Sequence, residues 1–468
     1  MTKRVIHIFK NDLRLSDNPA LTEACKAGHI IPIYIVDESD LDTDSAQNWW
    51  LQKSLEKLKK SLDNNLYFFK GDYKEIITSI ISENDIQGVY WNRSYDPYSI
   101  QRDKDLKSYL EENNIEVKTF NSLLLWEPWQ VAKPDGSPYR VFSPFYRKGC
   151  LNQKEPRFPL PQPNQINYFK INGSKDIKSL NLLNGFNWYD KLNEHWDIGE
   201  KAAQKKLSLF LEDGIDNYKD GRNFPSKKNV SRLSPHIRFG EISPNQIWYA
   251  ARSLKEDRNI DHFCSELGWR EFSYYLLYHF PFIEKENLNK KFDNFPWTNN
   301  LEYLQAWQRG STGYPIIDAG MRELWETGYM HNRVRMVVGS FLVKNLLIHW
   351  HYGHAWFNNC LVDADKANNT AGWQWIAGSG ADAAPYFRIF NPITQGQNFD
   401  EDGVYTKKWI PELSKLPNKY LFNPWEASSD ILNEADLELG KDYPLPIVGI
   451  KESRSIALEA FETIKNKS

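Results

Sequence analysis

IIPIYIVDESDLDTDSAQNWWLQKSLEKLKKSLDNNLYFFKGD, residues 30–72, decides the fold class. It opens on IIPIYIVD (30–37) and closes on LYFFKGD (66–72), two short apolar runs rich in β-branched and aromatic residues. Between them AQNWWLQKSLEKLKKSL (46–62) reads as a helix. The same alternation extends both ways: VIHIF (5–9) precedes it, and GVYWN (88–92), SIQRDKDLKSYLEEN (99–113) and VKTF (117–120) follow. Strands alternating with helices predict a parallel, doubly wound α/β sheet domain over residues 1–130. Ligands of such sheets sit outside the carboxyl ends of the strands. No GxGxxG follows the first strand, so an ordinary dinucleotide fingerprint is absent.

The character changes over residues 131–200, where KPDGSPYRVFSPFYRKGCLNQKEPRFPLPQPNQIN (133–167) is rich in Pro, Asn and Lys with little periodicity. This is a long connector, expected to lie against the surface. Residues 201–468 form an all-α domain by pattern. KAAQKKLSLFLED, SPNQIWYAARSLKE, FCSELGWREFSYYLLYHF, AGMRELWETG and the final SIALEAFETIKNKS are amphipathic at helical period.

The chain has 468 residues, 41% hydrophobic and 25% charged, which suits a two-domain globular protein. A net charge of -3 decides nothing about nucleic acid. The 4 cysteines (Cys25, Cys150, Cys264, Cys360) have neither disulfide nor zinc spacing, which fits a reducing compartment. No signal-peptide core and no membrane-length apolar run is present, so a soluble, cytoplasmic protein is expected. The 18 tryptophans are the compositional outlier, and most are explained as aromatic core.

GYMHNRVRMVVGSFLVKNLLIHW (328–350) continues directly into HYGHAWFNNCLVDADKANNTAGWQW (351–375). The first half reads as a helix on which Asn332, Arg335 and Met336 share one face. An amide, a guanidinium and a thioether together suit a large flat heteroaromatic ligand, not a hydrolytic site. Four further features stand out. In NYKDGRNFPSKKNVSRLSPHIRFGEISP (217–244), Ser231 and Ser234 are either helix caps or, with backbone N–H groups, a phosphate site. In SELGWREF (265–272), Glu266, Trp269 and Arg270 could read a base edge and stack on it, or Glu266 and Arg270 could form a plain i,i+4 pair. DADKANN (363–369) lacks the Gly and terminal Glu of a calcium loop, so Asp363 and Asp365 read as partners for Arg335 and a ligand. His349, His351 and His354 match no familiar metal spacing, and GSGADA (378–383) follows no strand.

FKNDLRLSDNPAL, SRLSPHIRFGEISP, ELGWREF, STGYPIIDAGMREL, MHNRVRM, DADKANN, GWQW and DAAPYFRIFNPITQG follow one another in an order that resembles the DNA photolyase/cryptochrome family. Within that family the chain resembles a class I cyclobutane pyrimidine dimer photolyase. The resemblance implies an α/β domain, a linker and a helical domain holding FAD, with light-driven repair of dimers in DNA as the activity. Excited reduced flavin would pass an electron to a flipped-out dimer and recover it after the ring splits. Tyr218, Val230, Ser231, Arg232, Leu233 and Ser234 would contact FAD, as would Phe263, Arg270, Arg335, Asp363, Ala364, Asp365 and Asn369. Val230 departs from the hydroxyl residue often found there. Asn369 matches the position facing flavin N5, where plant cryptochromes typically carry Asp.

By the same resemblance Glu266, Trp269, Asn332, Met336 and Trp375 would form the dimer pocket, and six-four photolyases would carry His within MHNRVRM. Trp297, Trp350 and Trp373 match an electron-transfer triad. Arg222, Arg333, Arg388 and Gln395 match DNA-contacting positions, alongside Glu266, Trp269 and Asn332. A second, antenna chromophore stays open between folate and deazaflavin types, because Tyr98 and Ser99 stand where folate binders carry Asn-Glu. Damaged DNA is the implied partner, with no membrane or protein partner, for a monomer. The rival reading is a cryptochrome-like blue-light receptor without repair.

Overall fold

The computed structural model describes all residues except 1, 38–44, 184, 186, 256, 384–386 and 466–468. Residues 384–386 of the DAAPYFRIFNPITQG motif therefore lie outside the described residues. The chain divides into two compact units, Met1–Ile215 with Ser231–Pro281 and Asp363–Ala367, and Asp216–Val230 with Phe282–Val362 and Asn368–Ser468.

In the first unit five strands, β1 (Lys3–Phe9), β2 (Gly28–Val36), β3 (Tyr67–Lys70), β4 (Gly88–Asn92) and β5 (Glu116–Phe120), form a parallel sheet in the order β3-β2-β1-β4-β5. The crossovers are α1 (Pro19–Ala27), α2 (Ala46–Ser61), α3 (Tyr73–Asn84) and α4 (Pro97–Glu112). Each begins where a polar side chain takes up an orphan amide: Asn18, Ser45, Asp72 and Asp96 accept from the backbone N–H of Leu21, Asn48, Glu75 and Ser99. Helices on both faces bury the sheet, so β1 is apolar on both sides rather than alternating. Ile6, Ile8, Ile31, Ile33 and Val89 are fully buried or nearly so, each side chain contributing about 1.5–3 kcal/mol by burial.

At the carboxyl end of β1 the FKNDLRLSDNPAL segment folds into a buried polar knot. Asn92 Nδ2 donates to Asp12 Oδ2 at 2.5 Å, and the Arg14 guanidinium donates to the carbonyls of Gly240, Asp17 and Ser122. The connector lies along the sheet. Ile30 N donates to Asn167 O at 2.7 Å, and Phe68 pairs antiparallel with Ser174, its N–H donating at 2.8 Å.

The first unit also contains α5 (Pro244–Arg252), capped by Ser243, and α6 (Arg258–His279), capped by Asp257. The second unit includes α7 (Pro315–Thr327), α8 (Asn332–Ser340), α9 (Trp350–Cys360), the C-terminal part of α10 (Lys366–Ala377), and α11 (Ile450–Lys465), among further short helices and turns. The helix expected over 328–350 stops at Ser340 and gives way to a π-helical turn, Phe341–Asn345. The extra residue turns Lys344 and Asn345 inward, where both are buried. Among the described residues no helix is long and apolar enough to cross a membrane.

Candidate functional site

The first unit carries one group of the candidate residues. Ser231 to Ser234 form a turn in which Arg232 takes the left-handed conformation (φ 51°) and Ser231 Oγ accepts from Leu233 N at 3.4 Å. Ser234 Oγ donates to Asp363 Oδ2 at 2.6 Å, Tyr274 Oη donates to Asp365, and Arg238 Nε donates to Ala364 O at 2.9 Å. The DADKANN turn is thus fixed by three partners that sequence spacing could not supply. Burial, reinforced by the Asp365 charge, raises the Tyr274 phenol well above its ordinary value, so it remains a donor to that carboxylate.

Along α6, Phe263, Glu266, Trp269 and Arg270 follow at helical spacing. Arg270 does not pair with Glu266. It donates to Leu123 O at 2.8 Å and to Glu271, and its buried second terminal nitrogen has no partner among the described residues. Glu266 instead lies 3.7 Å from His262. The Trp269 indole stacks on Phe142 of the connector at 3.8 Å between centroids and 11° between planes. Phe142 in turn stacks on Tyr146, so three aromatic rings back one another up. Neither connector residue had a periodic or motif signal that could have flagged it.

The second unit carries the other group. Asn332 opens α8 and is exposed, while Arg335 and Met336 are half-buried one turn on. His331 caps this helix through Nδ1, which accepts from Arg333 N, a role open only to the neutral ring. Burial, helped by the charges of Arg222, Arg335 and Arg333, pushes His331 down to about 3. Arg335 Nε donates to Met330 O at 2.7 Å, which fixes its fork. Arg333 donates to Asn223 at 2.6 Å and lies over Phe399, and Arg222 lies over Tyr218. Val230 ends the short segment Asp216–Val230, and Gln395 has a buried Oε1 without a partner among the described residues. Asn369 Nδ2 donates to His354 O at 3.1 Å, so its carbonyl oxygen is turned the other way.

Exposed Arg388 is tethered by its backbone: its carbonyl accepts from Lys344 Nζ in the π-helical turn. Burial, with the Arg388 charge, lowers Lys344 to about 7. Between that value and the ordinary lysine range the unfolded chain holds a proton that the folded chain has released. Lys344 therefore makes stability rise with pH over that window, by up to about 1.4 kcal/mol per pH unit, and the contribution is lost as pH falls through about 7. Chemical denaturation of Lys344→Met against the parent from pH 7 upward should show this slope missing from the variant.

Trp297, Trp350 and Trp373 all lie in the second unit. His349 links the first two rings, edge to face with Trp297 at 5.0 Å and stacked near-parallel with Trp350 at 5.7 Å. Burial lowers His349 and His354 to about 4, and neighbouring His351 adds to both shifts, so the rings around Trp350 are neutral near pH 7. Trp373 is seated against Gly353 of α9, where an added Cβ would fall 2.1 Å from the indole. Gly353→Ala should therefore cost about 1–3 kcal/mol of stability through overpacking, read from a denaturant midpoint; an unchanged midpoint would contradict this seating. Trp375, two residues on, donates its indole N–H to Asp382 O at 3.2 Å.

The motif order agrees with the comparisons to known proteins. A family model described as DNA photolyase matches residues 5–164, and one described as the FAD binding domain of DNA photolyase matches residues 263–463. The deoxyribodipyrimidine photo-lyase of Agrobacterium fabrum is 45% identical over 99% of this chain and 98% of its own length. The chain belongs to the DNA photolyase family. Cryptochrome-1 of Arabidopsis thaliana is also similar to this photolyase-family chain, 34% identical over 97% of it and 69% of the plant protein. A solved structure described as a bacterial class III photolyase from Agrobacterium tumefaciens superposes with a TM-score of 0.96 at 45% identity, covering 100% of this chain and 98% of its own. The α/β sheet domain and helical remainder are the family fold, and the FAD-binding domain is present.

Proposed function

We propose that this protein repairs cyclobutane pyrimidine dimers in DNA, driven by light, with FAD as its cofactor. The observation that supports this most is the full-length similarity to deoxyribodipyrimidine photo-lyases, carried by a chain that retains an amide at Asn369. That side chain cannot hand a proton to a neighbouring ring nitrogen. Within the family, the solved class III neighbour favours class III over the class I reading of the motifs.

The residues of each unit fit FAD. In the first, the left-handed turn at Ser231–Ser234, the unpaired Arg270 nitrogen and the acceptors Asp363 and Asp365 suit a diphosphate and polar ring edges. In the second, Arg335 supplies a fixed positive charge and Asn369 an uncharged amide, with Tyr218 and Val230 completing the set. Phe263, Arg232, Leu233 and Ala364 contribute shape. When bound, FAD supplies the light-absorbing electron donor. Glu266 would accept the N–H of a damaged base, Trp269 and Trp375 would flank its faces, and Asn332 and Met336 would complete the pocket. Photolyases are among the enzymes that act on an extruded base, and a dimer is poorly stacked to begin with. Arg222, Arg333, Arg388 and Gln395 would hold the DNA backbone, for which an arginine fork is suited.

An antenna chromophore of folate or deazaflavin type would bind near the cleft at the carboxyl ends of β1 and β2, lined by Lys10, Tyr34, Tyr73, Ser99 and Arg102. Domain limits near residues 130 and 200, a monomeric state and a cytoplasmic location complete the proposal. The test is conversion of a dimer-containing oligonucleotide by the reduced protein under blue light and in darkness. Light-only recovery of intact thymines supports repair. A flavin-loaded protein that photoreduces but repairs nothing supports the second reading, a cryptochrome-like receptor, which the similarity to Cryptochrome-1 favours.

A further inference from the structure

We propose that Asn287 and Asp293 are positioning residues that stabilise a positive hole on Trp350 relative to one on Trp373. The inference rests on the reading of Trp373, Trp350 and Trp297 as an electron relay. Trp350 is fully buried, and its Nε1 donates to Asn287 Oδ1 at 2.9 Å. Asn287, itself buried, donates through Nδ2 to Asp293 Oδ1 at 2.7 Å. A carboxylate only accepts, so Asp293 sets the amide with its NH₂ toward itself and its carbonyl toward the indole.

The segment bearing Asn287 is clamped by Gln374, the residue next to Trp373. Gln374 Nε2 donates to the carbonyls of Ile283 and Glu286 at 2.7 and 2.9 Å, and its Oε1 accepts from Leu288 N at 2.9 Å. Trp373 is equally buried, yet its Nε1 has no hydrogen-bond partner among the described residues. Two neighbouring members of the relay thus have opposite surroundings.

Removing one electron from an indole makes the ring cationic and its N–H acidic. A carbonyl accepting that N–H becomes a charge-assisted acceptor, strengthened by the dry interior. An amide oxygen is too weak a base to take the proton, so the Trp350 cation is stabilised without being consumed. Trp373 loses one electron to the light-excited flavin, Trp350 refills Trp373, and Trp297 refills Trp350. Trp297, half-buried, releases its N–H proton to water and is restored by an external thiol reductant. The hydrogen bond makes the step from Trp373 to Trp350 downhill and leaves the next step open.

The test compares Asn287→Leu, Asn287→Asp and Asp293→Asn with the parent and Trp350→Phe. In flavin-free, ¹⁵N-indole-labelled protein, the resonance lost in Trp350→Phe should lie downfield and exchange slowly, and Asn287→Leu should shift it upfield. With FAD bound, Asn287→Leu should lower the photoreduction yield about tenfold, the equivalent of losing one charge-assisted bond. Asp293→Asn should lower it less, and covers the case in which the leucine variant does not fold. Asn287→Asp introduces a base, so the transient spectrum should change from the tryptophan cation to the neutral radical. Unchanged yields and spectra in all three, with Trp350→Phe inactive, would overturn the inference alone. Normal photoreduction by Trp350→Phe would overturn the relay reading and this inference with it.

Discussion

Replacing Trp373 with Phe should lower light-driven reduction of bound flavin at least about tenfold, a barrier change of ~1.4 kcal/mol or more. Repair by chemically reduced protein should survive. Trp373 is nearly fully buried between Phe357 and Trp307, with ring centroids at 5.0 and 6.3 Å, and touches Gly353. Phe fills most of that space but is far harder to oxidise than an indole, so packing is largely kept while the electron source is lost. The measurement is steady illumination with a thiol reductant, followed by a repair assay after dithionite reduction. Loss of both activities would mean that the separation between the relay and the dimer pocket is wrong.

Trp269→Ala should weaken binding of dimer-containing DNA by ~1–3 kcal/mol, the usual worth of one aromatic stacking platform for a base. Trp269 is half-buried on α6, and one of its faces is already occupied by Phe142 at 3.8 Å. A ring backed in this way loses little freedom when a base stacks on its other face, so preorganisation adds to the contact. Phe142→Ala should act in the same direction with a smaller effect, because the indole remains but is no longer held flat. Fluorescence anisotropy with damaged and undamaged oligonucleotides separates the two contributions. Equal losses on both DNAs would place Trp269 outside the damage pocket.

The strands were legible because each is a short apolar run between cap and turn residues, and the structure places all five at those runs. The face shared by Asn332, Arg335 and Met336 was legible for the same local reason. The π-helical turn at Phe341–Asn345 was not: its residues are ordinary helix formers, and one extra residue per turn leaves no mark on a 3.6-residue period. Phe142 behind Trp269, Tyr274 on Asp365 and Gln374 clamping 283–288 were also invisible. Each is a contact between segments far apart in the chain, settled by tertiary packing. Glu266 and Arg270 show the opposite error, where a favourable local spacing is overridden because Arg270 has better partners in Leu123 and Glu271.

The pairing of the connector with β3 bears on how the protein ages in storage. Ser174 covers part of an edge whose YFFK sequence would otherwise be a template for another chain. The opposite edge, EVKTF, guards itself with Glu116 and Lys118. Clipping the connector near residue 174 by trace protease should therefore leave the active residues untouched and still turn a clear solution cloudy. Light scattering after limited digestion would register that damage before any loss of repair.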